Sequence, residues 1–418
     1  LVEAAQFSHL PKLKTQRIAV KLNKTAQGLV KQGHPWVFSD SIVKESHTPK
    51  SGDLAIIYDN HTNKLIALGL YDVDSSIKIK ILHSGSPATI NSSFFESKIQ
   101  TAYAKRIDLL ETKTNAYRLL FGENDSMPSF IADVYANVLV IKLYSEMWLP
   151  YLSEILPHLI NVSQVDTVVL RLSRKLDQLL TSKGLSDGSV LYGKLEDEEV
   201  HFYEHGINFK ANVIKGHKTG YFLDHRYNRK RVGELSKGKS VLDVFSYAGG
   251  FSVHALAKGA KEVTSLDISA QALAVAKDNA TLNDHKGTHH IIEGDAFEKL
   301  QQLLQKKKKF DVVVIDPPSF AKKATDVVKA LKKYTQLAKM GVQLVSKNGI
   351  LVLASCSSRV EAQDFYAMAE KVLKQQLMSY KVLEKTTHDD DHPIAFAEGA
   401  YLKTIYFKIS QLKRLSKF

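Results

Sequence analysis

Val241-Leu-Asp-Val-Phe-Ser-Tyr-Ala-Gly-Gly-Phe251 is the stretch that decides the fold of this chain. It reads as a buried strand, a turn containing Gly249 and Gly250, and the start of a helix. The glycines let the backbone approach a ligand closely, and a helix start offers free N–H groups and the positive end of its dipole. At the end of the next strand, 24 residues after Asp243, stands Asp267, placed to bind the two hydroxyls of a ribose. Phe245 occupies the place of the first glycine in G-x-G-x-x-G, which argues against a tight pyrophosphate cradle and for an adenosine with a methionine tail. A plain strand-to-helix turn with incidental glycines and an exposed acid would look the same in this motif alone.

Strands and helices alternate on either side of it. Strands are expected at Ser240–Phe245, Glu262–Asp267, His290–Glu293, Asp311–Asp316 and Ile350–Ser355, with helices over 250–258, 269–283, 296–305 and 324–345. Such alternation implies an α/β fold, a parallel sheet with helices on both faces and ligands beyond the carboxyl ends of the strands. Those ends are polar. The third gives Gly294-Asp295-Ala296, and the fourth gives Asp316-Pro317-Pro318-Ser319-Phe320. Two prolines remove two donors and stiffen the loop, which suits a carboxylate that must position a planar base; the same residues also suit a helix-start cap. The fifth ends in Ser355-Cys356-Ser357, where the thiol either packs inward or faces the ligand cleft as a nucleophile. Just upstream, Lys215 to Arg229 is too dense in polar and aromatic groups for a plain linker.

Residues 15–88 read as a small all-β domain, with strands at Ile18–Leu22, Leu54–Tyr58, Lys64–Tyr71 and Ile77–Leu82. Residues 93–205 read as an α+β module: helix 94–112, strands 129–134 and 138–144, helix 149–160, strand 166–172. Residues 206–418 form the β–α domain. Three domains agree with a length of 418 residues, and 44% hydrophobic with 24% charged residues excludes disordered and fibrous classes. The net charge of +13 favours a polyanionic partner, although a merely soluble basic surface gives the same count. Its excess is spread: residues 301–340 carry 10 Lys and 3 Asp, and 401–418 carry 5 Lys/Arg and no acid, while a run such as Lys306–Lys309 is also what a solvated helix end looks like. The single cysteine, Cys356, excludes an internal disulfide and any multi-Cys metal site. No apolar run approaches the ~18 residues of a membrane span, and Leu1–Lys14 lack a secretory apolar stretch, so a reducing, cytoplasmic compartment is expected. The start at Leu1 reads as a trimmed or incomplete N-terminus.

Together, Asp243 with Gly249-Gly250, Asp267, Asp295, Asp316-Pro-Pro-Ser-Phe320 and Ser355-Cys-Ser357 resemble the class I methyltransferases that use S-adenosylmethionine. With Lys218-Thr-Gly-Tyr-Phe-Leu-Asp-His-Arg226 they resemble the 23S ribosomal RNA 5-methylcytosine methyltransferases of the RlmI/YccW type. Gly33-His-Pro-Trp-Val-Phe38 is similar to that family's N-terminal PUA domain, and Tyr117-Arg-Leu-Leu-Phe-Gly-Glu-Asn-Asp125 to the opening of its central domain. There are departures: His217 and His225 stand where the family commonly has Gln, and Ser126, Met127 and Ser129 replace a Gly-Leu-Pro-Gly-like run around Pro128.

The resemblance implies a Rossmann-like methyltransferase domain behind an RNA-binding PUA domain, S-adenosylmethionine as cofactor, 23S ribosomal RNA as partner, and an association of two copies. It assigns Asp267 to the ribose, Asp295 to the adenine amino group and the Gly249-Gly250 turn to the methionine end, with Phe222, Asp224 and Arg226 closing the pocket, and it counts Asp243, Ile268, Ala296 and Asp316 among the cofactor-binding residues. In the family chemistry a thiolate adds to carbon 6 of cytosine, which makes carbon 5 nucleophilic enough to be methylated, and the adduct then collapses. Cys356 would be that nucleophile, Asp316 would hydrogen-bond or protonate the ring edge, and Pro317, Pro318, Ser319 and Phe320 would hold the flipped base. Ser319 stands where two-cysteine enzymes carry a second Cys, so the group that takes the carbon 5 proton stays open. Two rival readings share these motifs: methylation of a guanine nitrogen or exocyclic amine, which needs no thiol, and a non-catalytic RNA-binding ribosome-assembly factor with an idle methyltransferase fold.

Overall fold

The computed structural model describes residues 1–412; Lys413, Arg414 and Lys417, part of the C-terminal basic excess, lie outside them. The chain folds as two compact units that alternate along the sequence. One comprises Leu1–Tyr203, Lys210–Leu223 and Asp390–Gly399; the other comprises Glu204–Phe209, Asp224–Asp389 and the chain from Ala400 on.

The first unit holds two large sheets. A six-stranded sheet runs in the order Trp36–Phe38, Ile77–Ser84, Leu65–Tyr71, Leu54–Tyr58, Arg17–Leu22 and Ile42–Glu45. The four longer strands coincide with the sequence reading. The two short ones, and the helix Lys24–Lys31 capped by Asn23, offer too few residues for a period to show. The second sheet orders Val190–Tyr192, Thr167–Leu172, Val138–Leu143, Phe130–Tyr135 and Ala116–Phe121. The expected helix over 94–112 is broken into Ser92–Ala104 and Ile107–Leu110 around the fully buried Arg106. That guanidinium meets both Asp125 oxygens at 3.1 and 2.6 Å and the Asp391 carbonyl at 3.1 Å. The expected helix over 149–160 opens instead as a 3-10 turn, Glu146–Tyr151, containing Pro150, and becomes α-helical at Leu152–Ser163.

The second unit is one seven-stranded sheet. Its strands are β1 (Ser240–Val244), β2 (Glu262–Asp267), β3 (Thr288–Glu293), β4 (Phe310–Ile315), β5 (Val345–Ser355), β6 (Met378–Thr386) and β7 (Lys403–Leu412). Its helices are α1 (Arg226–Leu235), α2 (Gly250–Ala257), α3 (Ala270–Thr281), α4 (Ala296–Gln305), α5 (Val327–Leu344) and α6 (Ala362–Gln375). The sheet order is β3-β2-β1-β4-β5-β7-β6, parallel from β3 to β5, with β7 antiparallel to both its neighbours. Val312-Val-Val-Ile315 of β4 is buried, as a central strand covered on both faces must be. Helix α5 lies close on it, since a Cβ at Gly341 would stand 2.7 Å from Ile315 Cδ1 and 2.9 Å from Leu351 Cδ1. Under the sheet, buried Glu204 accepts from Arg229 at 2.6 and 2.8 Å and approaches His254 Nε2 at 2.7 Å, tying α1 to α2. The strand order reverses between β1 and β4, and in open parallel sheets a ligand crevice opens at that point.

Candidate active site

Each carboxyl end near the reversal delivers a polar group. After β1 the chain turns so tightly that Phe245 and Tyr247 take φ of +65° and +47°, values most side chains avoid, and Gly249 follows at +76°. Phe245, in the glycine position of the dinucleotide pattern, thus adopts a glycine-like backbone without being glycine. Gly249 is required twice: by its φ, and because a Cβ there would stand 2.7 Å from the Ala276 Cβ on α3. Helix α2 then starts at Gly250; its N-cap residue, Gly249, has no side chain to offer, and of its first N–H groups the Ser252 amide is taken by Asp243.

Asp243 is fully buried at the end of β1. Its Oδ2 accepts from the Ser252 amide at 3.0 Å and hydroxyl at 2.7 Å, whereas its Oδ1 has no hydrogen-bond partner among the described residues. Burial pushes its pKa up to about 7, against the two Ser252 hydrogen bonds and with help from the charges of Asp316 and Asp267. Ser246 Oγ, in the following turn, is likewise buried and unpartnered. Orphaned buried polar atoms call for a ligand, and these suit the charged methionine end of S-adenosylmethionine. At the end of β2, Asp267 accepts from the Tyr247 amide and the Ser269 amide, both at 2.9 Å, which fixes its orientation while leaving lone pairs for two ribose hydroxyls. Ile268 beside it is 71% exposed, an apolar surface next to this carboxylate. Asp295 caps α4, accepting from the Glu298 amide at 3.1 Å, and Ala296 is buried behind it.

Asp316 ends β4 with His225 Nε2 3.2 Å from its Oδ1, an ion-pair contact whose alignment falls short of a hydrogen bond. The Asn228 carbonyl oxygen accepts from the Thr386 and Tyr406 hydroxyls at 2.6 and 2.8 Å, so the Asn228 amide nitrogen faces His225 Nδ1 at 3.1 Å. His225 therefore accepts at Nδ1 and, when neutral, carries its proton on Nε2, toward Asp316. Burial is the largest influence and disfavours the imidazolium, but the charge and close contact of Asp316 and the charge of Asp224 together outweigh it and raise the His225 pKa.

One strand further, Cys356 follows β5, partly buried, with its Sγ donating toward the Pro317 carbonyl at 3.7 Å. A chain of hydroxyls fixes this corner. Ser357 Oγ accepts from the Phe320 amide at 3.1 Å and lies 3.0 Å from Ser319 Oγ and 2.8 Å from the Tyr334 hydroxyl, which also takes a bond from Ser355. Pro317 is buried, Pro318 exposed, and Phe320 packs against Tyr334 with ring centroids 5.0 Å apart.

Asp243, Asp267, Asp295, Asp316, Gly249, Gly250 and Cys356 thus all stand at strand ends or strand-to-helix turns of one sheet. Asp224 and Arg226 belong to the same unit but are engaged elsewhere: Asp224 accepts from the Tyr401 hydroxyl at 2.7 Å, and Arg226 donates to Asp389 at 2.9 Å. Phe222 lies in the other unit with Lys218-Thr-Gly-Tyr221, where the Lys218 amine sits 5.2 Å above its ring and Thr219 donates to Asp133 at 2.6 Å. The sequence reading has no element beyond Ser355, so Lys403 at the start of β7 is not legible in it; Ser357 stands in its motif without the hydroxyl contacts that make it a hub, and His225 only as a departure from Gln.

A doubly wound sheet with this strand order, acids on successive strand ends and a glycine turn at the reversal defines a Rossmann-like methyltransferase. The chain belongs to the S-adenosylmethionine-dependent methyltransferase family, whose pattern matches residues 118–408, and a PUA-like domain matches residues 20–84. A Deinococcus radiodurans protein named ribosomal RNA large subunit methyltransferase is 37% identical over 96% of this chain and 99% of its own length. A Shewanella denitrificans protein named ribosomal RNA large subunit methyltransferase I is 34% identical over 94% of this chain and 99% of its own. Among solved structures, SMU.776, a methyltransferase complexed with SAH, shares the fold with a TM-score of 0.78 at 22% identity, covering 94% of this chain and all of that one. Among the described residues no helix is long and apolar enough to cross a membrane.

Proposed function

We propose that this methyltransferase forms 5-methylcytosine in large-subunit ribosomal RNA, with Cys356 as the nucleophile. The observation that carries the reading is the chain's single thiol, at the end of β5, 3.7 Å from the Pro317 carbonyl of the Asp-Pro-Pro loop. Methylation of a nitrogen has no use for a thiol beside that loop. The substrate class is supported by the names of relatives aligned over nearly the whole chain and by the PUA-like match. The division into 15–88, 93–205 and 206–418 belongs to the same reading, the first part binding RNA.

S-adenosylmethionine, when bound, supplies an electrophilic methyl carbon. The chain's own groups prepare the base. Cys356 Sγ adds to carbon 6 and moves ring electrons to carbon 5; Asp316, faced by the His225 N–H, meets the ring edge where charge develops. The hydroxyl chain through Ser357 holds Ser319 and Phe320 against the base. Carbon 5, once methylated, gives its proton to a base, the C–H electron pair re-forms the carbon 5–carbon 6 double bond, and the sulfur leaves with the C–S pair as thiolate. Cys356→Ala should lower methylation of ribosomal RNA by at least ~10³-fold while S-adenosylmethionine affinity stays within about twofold. RNA containing 5-fluorocytosine should form a denaturation-resistant adduct with the wild type and none with the variant. An active Cys356→Ala enzyme would overturn the reading.

A further inference from the structure

Lys403 is the most deeply buried lysine of the second unit, 3% exposed, and no carboxylate stands within ion-pair distance of it among the described residues. Its position is set by the register of β7 on β5, which pairs Lys403 with Ser355, one residue before the thiol. From there its Nζ donates to the carbonyl of Ser357, one residue after the thiol, and to the Tyr401 carbonyl at 3.0 Å. A buried ammonium without a counter-ion is expensive, and the anion this site could offer is sulfur.

We propose that Lys403 activates Cys356: the buried amine takes the thiol proton and stays beside the sulfur as the counter-ion of a thiolate. The two carbonyls occupy two N–H bonds of a neutral amine and leave its lone pair for the proton. The S–H bond breaks with its electron pair kept on sulfur, the N–H bond forms, and the thiolate is then free to attack a carbon electrophile. Burial lowers the Lys403 pKa to about 8, while Cys356 and the exposed Glu361 pull it upward, so the amine can give and take a proton near neutrality. The other titratable groups facing the pair are Tyr334, whose phenol burial keeps protonated, and Glu361. Lys403 is in this sense a positioning and activating residue; its catalytic meaning rests on the proposed function, but its effect on the thiol does not.

Cys356 being the chain's only cysteine, alkylation by iodoacetamide followed by intact mass reads this thiol alone. Rate against pH should give a wild-type midpoint at least one unit below the ~8.5 of a free thiol. Lys403→Met should move the midpoint up by at least one unit and slow alkylation about tenfold at pH 7, with Lys403→Gln, which keeps a donor for the carbonyls, doing the same. S-adenosylmethionine binding by calorimetry shows which variants are folded. A wild-type midpoint at 8.5 or above, or unchanged midpoints in both folded variants, overturns the proposal. Neither result depends on RNA, so loss of cytosine methylation in Cys356→Ala with a Lys403-independent midpoint would sink this inference and leave the function standing.

Discussion

Asp243 keeps its proton in the folded chain at pH values where the unfolded chain has lost it, because burial raises its pKa from 3.8 to about 7. The folded state therefore binds more protons than the unfolded state between those two values. Its contribution is fully present below pH 4, is lost as pH rises through 7, and changes no further above that. Asp243→Asn should remove this slope, so that denaturant unfolding at pH 8 shows the cofactor-free variant more stable than wild type by on the order of 2–4 kcal/mol, with the difference vanishing near pH 4. The same variant should bind S-adenosylmethionine at least tenfold more weakly. Ser126 and Ser129 carry a different cost. Both sit at left-handed φ, +58° and +60°, a backbone that glycine adopts without strain. Ser126→Gly or Ser129→Gly should each raise stability by about 0.5–1 kcal/mol, the left-handed penalty less the extra backbone entropy of glycine, measured by chemical denaturation. Residues of this kind differ in legibility. Asp243, Asp267 and Cys356 stand at strand ends that apolar runs announce, so their placement could be read directly. Lys403 could not, because its meaning comes from a cross-strand register that no local period encodes.

Strand β5 ends in a corner whose geometry is written in hydroxyl groups. Ser357→Ala would leave the Phe320 amide without its acceptor and cut Ser319 and Tyr334 from one another. The expected cost is ~1–3 kcal/mol of stability, with kcat falling about tenfold or more and S-adenosylmethionine affinity nearly unchanged, since in the proposed function this loop meets the base and not the cofactor. Steady-state kinetics with ribosomal RNA beside calorimetry of cofactor binding checks the split. The parallel strands β1, β2, β4 and β5 were legible since each is a buried apolar run ending in a polar signal. Strand β6 was not: Met378–Thr386 mixes Lys and Glu with apolar residues and is only half-buried at the sheet edge. Strand β7 is apolar, but its antiparallel insertion between β5 and β6 is a non-local choice. In the first unit, the interruption of the 94–112 helix had the same origin, since Arg106 is turned inward by carboxylates and carbonyls distant in sequence.

At the scale of the molecule, +13 on 418 residues becomes informative only through its ionic consequences. If RNA is held through about five phosphates, affinity should fall about 100-fold between 50 and 200 mM salt, while S-adenosylmethionine affinity barely responds; filter binding across that range gives the slope. A flat RNA response would assign the excess charge to solubility alone. The alternation of the two units along the chain has a temporal side. Residues 390–399 return to the first unit, where Asp391 is completely buried, accepts from the Arg118 amide at 2.8 Å and from Arg106 through its carbonyl. On a translating ribosome, neither unit can reach its final packing until almost four hundred residues have been synthesised, and during that wait the buried Arg106 side chain lacks one of its acceptors. Maturation therefore comes late for both halves, and no linear fragment ending before residue 390 should inherit either fold intact.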